Sequence, residues 1–499
     1  MRIGVYLSCE PTGGGSFQYA QFVLDALQAL HDEYDVIPLF AKHLWEEVLQ
    51  RDYDFGESHF ISSQYEDFAQ RMDAVGCDLI VDTAQTDLAA QIETPVVGII
   101  HDLMHRYETA FPEVSAHGEY ESREFVMKSI CEYAAGVLVD SELGKQQVLE
   151  SYGKFFEDKV YVQPFRVPNY LYEAWEKTIA SSEKSKKEKY LFYPAQFWTH
   201  KNHRNLFLAI RQLLDEGVVV RLVCVGSVKN GSSSAKDLIE RLSLEEHVIC
   251  LGYVGNEKIC ELYQNARAMI MPTFFGPTNI PPLEAMFMGC PLAVSDVYAM
   301  AEQVGDAALL FDPKSVESIA SAIRRLWEDD ELCKRLSEKG RQRSALFSRE
   351  RYNERFAKNL EDILRKLRDT AAWQERFLGK CHSEHLYLYG AGRYSYLTAA
   401  YLLMHHVDIE GFLVTSAENN PGAFLGRPVV ACDALDLSDG ETPHVLVALT
   451  KRYQKDVLAT LERAQISDRA ILQDEDIQNI MKAFASPQGQ NFIRRLRVK

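Results

Sequence analysis

The ten cysteines include no C-x-x-C pair and no paired spacing, which argues against a disulfide frame or a zinc site and predicts reduced thiols in a cytoplasmic setting. No apolar run reaches 18 residues, and the first residues read as a strand instead of a signal peptide, so neither a spanning helix nor a leader is expected. Positive charge is also scarce: 54 Lys and Arg stand against 72 Asp and Glu, a net −18. That balance excludes a general nucleic-acid binder, and any phosphate must be held by local cations and N–H groups. What is present is ordinary for globular cores, with 46% hydrophobic and 25% charged residues. A chain of 499 residues suggests about three domains.

The densest signal runs from Arg267 to Asp296. Ala268 to Met271 is an apolar run, Gly276 to Ile280 has loop character, and Pro281-Pro282 predicts a helix start with Glu284 in the first turn. Gly289 stops that helix, and Pro291 to Val294 reads as a buried strand. A loop at the carboxyl end of a strand, beside a helix amino terminus, favours phosphorylated ligands because free N–H groups and the helix dipole attract negative charge. The same grammar opens the chain. A strand at Arg2 to Leu7 meets the glycine loop Gly13-Gly14-Gly15-Ser16, then a helix over Phe17 to Leu30. Further strands are predicted at Asp78 to Val81, at Pro95 to Ile100 before His101, at Gly136 to Val139 and at Val160 to Gln163. Ser141 reads as the cap of a following helix. Asn169 to Lys189 turns polar and reads as a solvated linker, most clearly at SSEKSKKE. Strands resume at Tyr190 to Tyr193, Arg221 to Val225 and His247 to Tyr253. A helix from Ser348 to about Leu367 carries Tyr352, Phe356, Leu360, Ile363 and Leu364 on one face.

The run Pro281-Pro282-Leu283-Glu284-Ala285-Met286, with Gly289-Cys290-Pro291, resembles the signature of the retaining family 4 glycosyltransferases of the GT-B fold. That fold is α/β, with two facing Rossmann-like domains. The first acid of the signature falls on Gly276, so the chain resembles the subgroup reading Phe-Gly-Pro-Thr-Asn. The resemblance implies a donor site in which Gly14 and Gly15 lie against the diphosphate and Glu284 binds the ribose hydroxyls. His101, with Asp102 and the Phe111 to Ser115 run after it, resembles the family histidine that faces the donor sugar. Lys201 matches one of two cations that reach the leaving diphosphate, and Gln196 stands where the other, an arginine, would be. Thr278 and Asn279, between Gly276 and Ile280, are expected to replace contacts of the missing acid. Leu251 to Val254 would wall the base. Without the family context the plainer readings are a structural histidine, a surface lysine and a glutamate favourably placed near a helix start.

The implied activity is transfer of a hexose from a GDP- or UDP-linked sugar to a carbohydrate or lipid-linked glycan in surface-polysaccharide synthesis, such as that of O-antigen. The nucleotide sugar is a substrate, and no cofactor or metal is expected. Retention would follow from front-face substitution, since no second carboxylate is placed as base or nucleophile. Two other readings stay open: an inactive glycan-binding or scaffold subunit, given Gly276 and Gln196, and a sugar-nucleotide epimerase on the same fold. The expected domains are 1–172 on the acceptor side, 188–348 for the donor, a crossover helix over 349–370 that returns to the first, and an accessory domain over 381–485.

In that last region a strand at Leu386 to Tyr389 leads into Gly390-Ala391-Gly392 and a helix to about His405. Strands at Ile409 to Val414 and Val445 to Leu449 and a helix over Tyr453 to Ala464 complete a third, small Rossmann-like pattern. With Asn419-Asn420-Pro421 and Phe424 to Val429, it resembles accessory domains of bacterial surface-polysaccharide proteins. A structural or oligomerising role and nucleotide binding at Gly390 and Gly392 both remain open, as does a homo-oligomer. The basic end, Arg494, Arg495, Arg497 and Lys499, reads as a tail, with peripheral contact to anionic lipid at the inner face of the membrane as the alternative.

Overall fold

The computed structural model describes residues 1–11, 14–180, 189–226, 232–381, 383, 385–416, 418, 420–435, 442–449, 451–484 and 492. Gly13, the SSEKSKKE stretch, Asn419 and the basic end lie outside the described residues. The chain divides into two compact units, residues 1–360 and 361–499.

The first unit holds two parallel sheets. In one, β1 (Arg2–Leu7), β2 (Asp35–Phe40), β3 (His59–Phe60), β4 (Leu79–Asp82), β5 (Val96–Ile100), β6 (Gly136–Val139) and β7 (Val160–Val162) lie in the order β3-β2-β1-β4-β5-β6-β7. In the other, β8 (Leu191–Pro194), β9 (Leu222–Val225), β10 (Val248–Cys250), β11 (Ala268–Met271), β12 (Leu292–Ser295) and β13 (Leu309–Phe311) lie in the order β10-β9-β8-β11-β12-β13. The near-continuous apolar strands β1, β4, β8 and β11 are buried on both faces, as parallel sheets require. Strand order reverses between β1 and β4 and again between β8 and β11, and crevices for ligands form at the carboxyl ends of such pairs.

Three expectations are corrected. The helix after β11 runs Ile280–Met288, so Pro281 and Pro282 fill its second and third positions and Glu284 falls in the second turn. Prolines are tolerated there because first-turn N–H groups have no partner within the helix. The polar linker is a helix over Asn169–Ala180 in its first part, with Leu171 wholly buried and Tyr170 and Ala174 packed on the second core. Its apolar residues at 170, 171, 174 and 175 keep helical spacing, a pattern masked by the charges that follow. Finally, the helix after Ser348 does not stop at Leu367; it runs Arg349–Lys380, because no Gly or Pro interrupts it before Gly379.

Its amino-terminal part packs on the first sheet. Gln163 Nε2 donates to the Tyr352 carbonyl at 3.1 Å, and Asn359 Nδ2 donates to Gln163 Oε1 at 3.0 Å. Beside them Arg166, fully buried, donates to Asp25 on the helix Gly15–Gln28 and to Asn169 Oδ1 at 2.8 Å, with its guanidinium 4.6 Å above Phe22.

In the second unit, β14 (Leu386–Tyr389), β15 (Gly411–Val414), β16 (Ala423–Phe424), β17 (Arg427–Ala431), β18 (His444–Val447) and β19 (Arg469–Ile471) form a sheet in the order β16-β17-β15-β14-β18-β19. Among the described strands only β16 runs antiparallel to its neighbour. Gly390 and Gly392 follow β14, ahead of the helix Arg393–Met404. Trp373 and Phe377 belong to this core, and Trp373 Nε1 donates to Asp476 at 2.8 Å.

Candidate functional site

The carboxyl ends of the two sheets meet across a cleft. From β1 comes the glycine loop: Gly14 has φ +89°, a left-handed conformation that favours glycine, and caps the helix Gly15–Gln28 without a side chain. A Cβ on Gly15 would lie 4.0 Å from Ile280 Cδ1, so this loop abuts the start of the helix Ile280–Met288. Other contacts join the two halves. His200 stacks on Phe275 at 4.0 Å and bonds to Glu113 at 3.2 Å through Nδ1, while Phe111 packs on Phe274 and Phe275. Tyr298 donates to Glu108.

Lys201 ends a short turn, Thr199–Lys201, after β8. It keeps some accessible surface but is enclosed by protein, and this desolvation lowers its pKa to about 8. Its Nζ donates to Asn279 Oδ1 at 3.5 Å. Asn279 is itself fixed, because its N–H donates to Gln303 Oε1 at 3.1 Å and its carbonyl accepts from Gln303 Nε2 at 2.7 Å.

Gly276 explains the missing acid. A Cβ there would lie 2.8 Å from Asn279 Nδ2, so the carboxamide of Asn279 occupies the space an acidic side chain would enter. The backbone at Gly276 also has φ +115°. Gly276→Ala is expected to cost about 1–3 kcal/mol, read as a lower thermal midpoint. Thr278 Oγ1 is buried without a hydrogen-bond partner among the described residues.

Glu284 is buried, and each carboxylate oxygen accepts a tyrosine hydroxyl: Oε1 from Tyr170 at 2.6 Å, Oε2 from Tyr263 at 2.7 Å. Burial raises its pKa and the two hydroxyls work against that rise. A carboxylate has about four lone-pair sites, so two are left for further donors. Gln196 is turned aside, its Oε1 accepting from Trp198 Nε1 at 2.7 Å.

His101 follows β5 and bonds through Nδ1 to Asp140 at 3.1 Å. Burial opposes protonation of this imidazole, but the Asp140 carboxylate outweighs it and raises the pKa. Tyr19 packs edge-on to the ring at 4.6 Å. Ser141 is a cap, its Oγ accepting from the Gly144 N–H at 3.0 Å. Tyr253 of the expected base wall is 68% exposed, so it projects from the sheet edge instead of packing on it.

Tyr170, Tyr263, Asp140 and Gln303 escaped the sequence reading. Each lies 21 to 114 residues from the group it holds, and no local spacing signals such a pair. The second-unit glycines Gly390 and Gly392 belong to a separate sheet edge.

Two facing Rossmann-like domains with their carboxyl edges opposed define the GT-B fold, here followed by a further α/β sheet domain. Residues 175–343 match the sequence model of the family Glycosyl transferases group 1. The chain is 35% identical over 143 residues to O-antigen chain mannosyltransferase B of Escherichia coli, covering 28% of this chain and 37% of that protein. It is 28% identical over 144 residues to O-antigen chain mannosyltransferase RfbU of Salmonella typhimurium, covering 29% and 40%. The chain thus spans less than half the length of these curated relatives. Among solved structures, sucrose-phosphate synthase from Thermosynechococcus elongatus aligns with a TM-score of 0.58 at 20% identity, covering 73% of this chain and 99% of that one. HepE from Anabaena, solved with UDP and glucose, aligns with a TM-score of 0.58 at 16% identity, covering 72% and 99%.

Proposed function

We propose that the chain is a retaining glycosyltransferase that moves a sugar from a nucleoside-diphosphate sugar to a hydroxyl of a glycan or lipid-linked glycan in surface-polysaccharide synthesis. The observation that carries this reading is the convergence on one cleft of the Gly14-Gly15 loop, the Lys201–Asn279 pair and the amino terminus of the helix bearing Glu284. Two relatives that overlap the chain are named mannosyltransferases, which supports a mannose-type donor, GDP- or UDP-linked.

In this reading Glu284 accepts the ribose hydroxyls on its two remaining lone-pair sites, held in place by Tyr170 and Tyr263. The diphosphate lies between the glycine loop and the start of the helix Ile280–Met288, where free N–H groups and the helix dipole favour an anion. As the bond from sugar to diphosphate breaks, charge grows on the leaving oxygens, and the Lys201 ammonium together with those N–H groups stabilises it. Asn279 holds Lys201 and, with Thr278, takes the place of the missing acid near the sugar. His101, oriented by Asp140, faces the sugar. The acceptor hydroxyl attacks on the face the diphosphate leaves, and the departing phosphate oxygen takes its proton. No metal is needed for this charge balance.

Titration calorimetry of UDP and GDP tests the donor site. One of them is expected to bind, and Glu284→Ala to weaken it at least tenfold. Equal binding by wild type and variant would remove Glu284 from the site.

A further inference from the structure

A cavity of about 900 Å³ borders the candidate site in the first unit without including Lys201, Glu284 or the glycine loop. Its lining contains Asp140, the partner of His101, and also Thr278 and Gln303, which flank and clamp Asn279. Both halves of the unit therefore contribute to it, and it adjoins the point where sugar transfer would occur. Phe165, whose ring lies 5.5 Å from that of His101, gives it an aromatic surface.

Much of the lining is cationic. Lys145, Arg343, Arg351, Arg355 and Lys358 line the cavity with Asp140, Glu142, Glu302 and Glu354. Arg343 is committed to the carbonyls of Glu302 and Gln303, and Asp140 to His101. The other four cations form no ion pair among the described residues and outnumber the three other carboxylates. In a chain of net charge −18, that is a local reversal of sign. Arg351, Arg355 and Lys358 stand at i, i+4 and i+7 on one face of the helix Arg349–Lys380, a stripe about 10 Å long. Thr278 adds a buried hydroxyl still in need of a partner.

We propose that this cavity binds the acceptor through a phosphoryl group, so that the acceptor is a phosphorylated sugar or a phosphate-linked glycan. Guanidinium forks match phosphate oxygens in pairs, and a stripe of three cations suits a diphosphate better than a single carboxylate. The assignment as acceptor site rests on the transferase reading; the binding of phosphate does not.

Pyrophosphate is the probe, titrated calorimetrically into the full chain with and without a saturating nucleoside diphosphate. One equivalent is expected to bind in the presence of nucleotide, and the combined Arg351→Ala, Arg355→Ala, Lys358→Ala variant to weaken it at least tenfold. These side chains are exposed, so folding is expected to survive, and unchanged nucleotide binding checks it. Pyrophosphate that is fully displaced by nucleotide, or that binds the variant as well as wild type, would overturn the proposal. A chain that binds pyrophosphate at these cations but no nucleotide would refute the donor reading alone. A soluble hexose 1-phosphate and an alkyl diphosphate form two further arms. Preference for the first assigns a soluble acceptor, preference for the second a lipid-linked one, and binding of neither overturns the proposal.

Discussion

Lys201→Ala is expected to lower nucleotide-sugar turnover by a factor of about 10² to 10³, the usual loss when a donor that stabilises a developing anion is removed. The structure supplies the reason for so large an effect. Lys201 is enclosed, forms no ion pair among the described residues, and is held through Nζ by Asn279. Such a cation is preorganised: the Asp102 carboxylate attracts it without pairing with it among the described residues, so it stays available to the diphosphate. Its pKa, lowered by burial to about 8, also sets the pH dependence. The charge is present below that value and lost as pH rises through it. The rate constant kcat/KM, which reports the free enzyme, is therefore expected to be flat up to about pH 8 and to fall tenfold per unit above it. Lys201→Arg keeps its charge throughout, so the alkaline fall should disappear whatever the residual rate. A profile unchanged in that variant would take Lys201 out of the reaction.

Arg166→Ala is the second large effect, and it acts on stability. The guanidinium is wholly buried at the junction of three elements: it bonds to Asp25 and Asn169 and lies over Phe22 and Tyr352. Removing it leaves the Asp25 carboxylate, 13% exposed, without its cation, which costs about 3–5 kcal/mol in buried pairs. The loss should show as a lower midpoint in urea unfolding. Replacing both partners, Arg166→Met with Asp25→Leu, is expected to restore most of it, because no charge is then stranded. If the double variant were as unstable as the single one, packing over Phe22 and Tyr352 would be the larger contribution.

The sheets were legible because parallel strands buried on both faces give apolar runs bounded by turns, as at Ala268–Met271 and Gly136–Val139. The loop from Gly276 to Ile280 was legible because its glycine and the prolines after it constrain the backbone locally. What the sequence hid is of another kind. Tyr170 lies in a stretch dominated by charge, yet its hydroxyl reaches Glu284, 114 residues away. Asp140, next to the helix cap Ser141, orients His101 across two neighbouring strands. Tertiary partners of this sort leave no periodicity. The reason for Gly276 was equally hidden, since it depends on where the Asn279 carboxamide turns.

The most direct test of the account is nucleotide release over a panel of UDP-, GDP-, ADP- and TDP-sugars, with wild type beside Glu284→Ala and Lys201→Ala. Release from one donor, lost in both variants, is the predicted result and would identify base and sugar together. Silence across the panel with no calorimetric binding of any donor would contradict it, as would conversion of a donor to its epimer with no acceptor present.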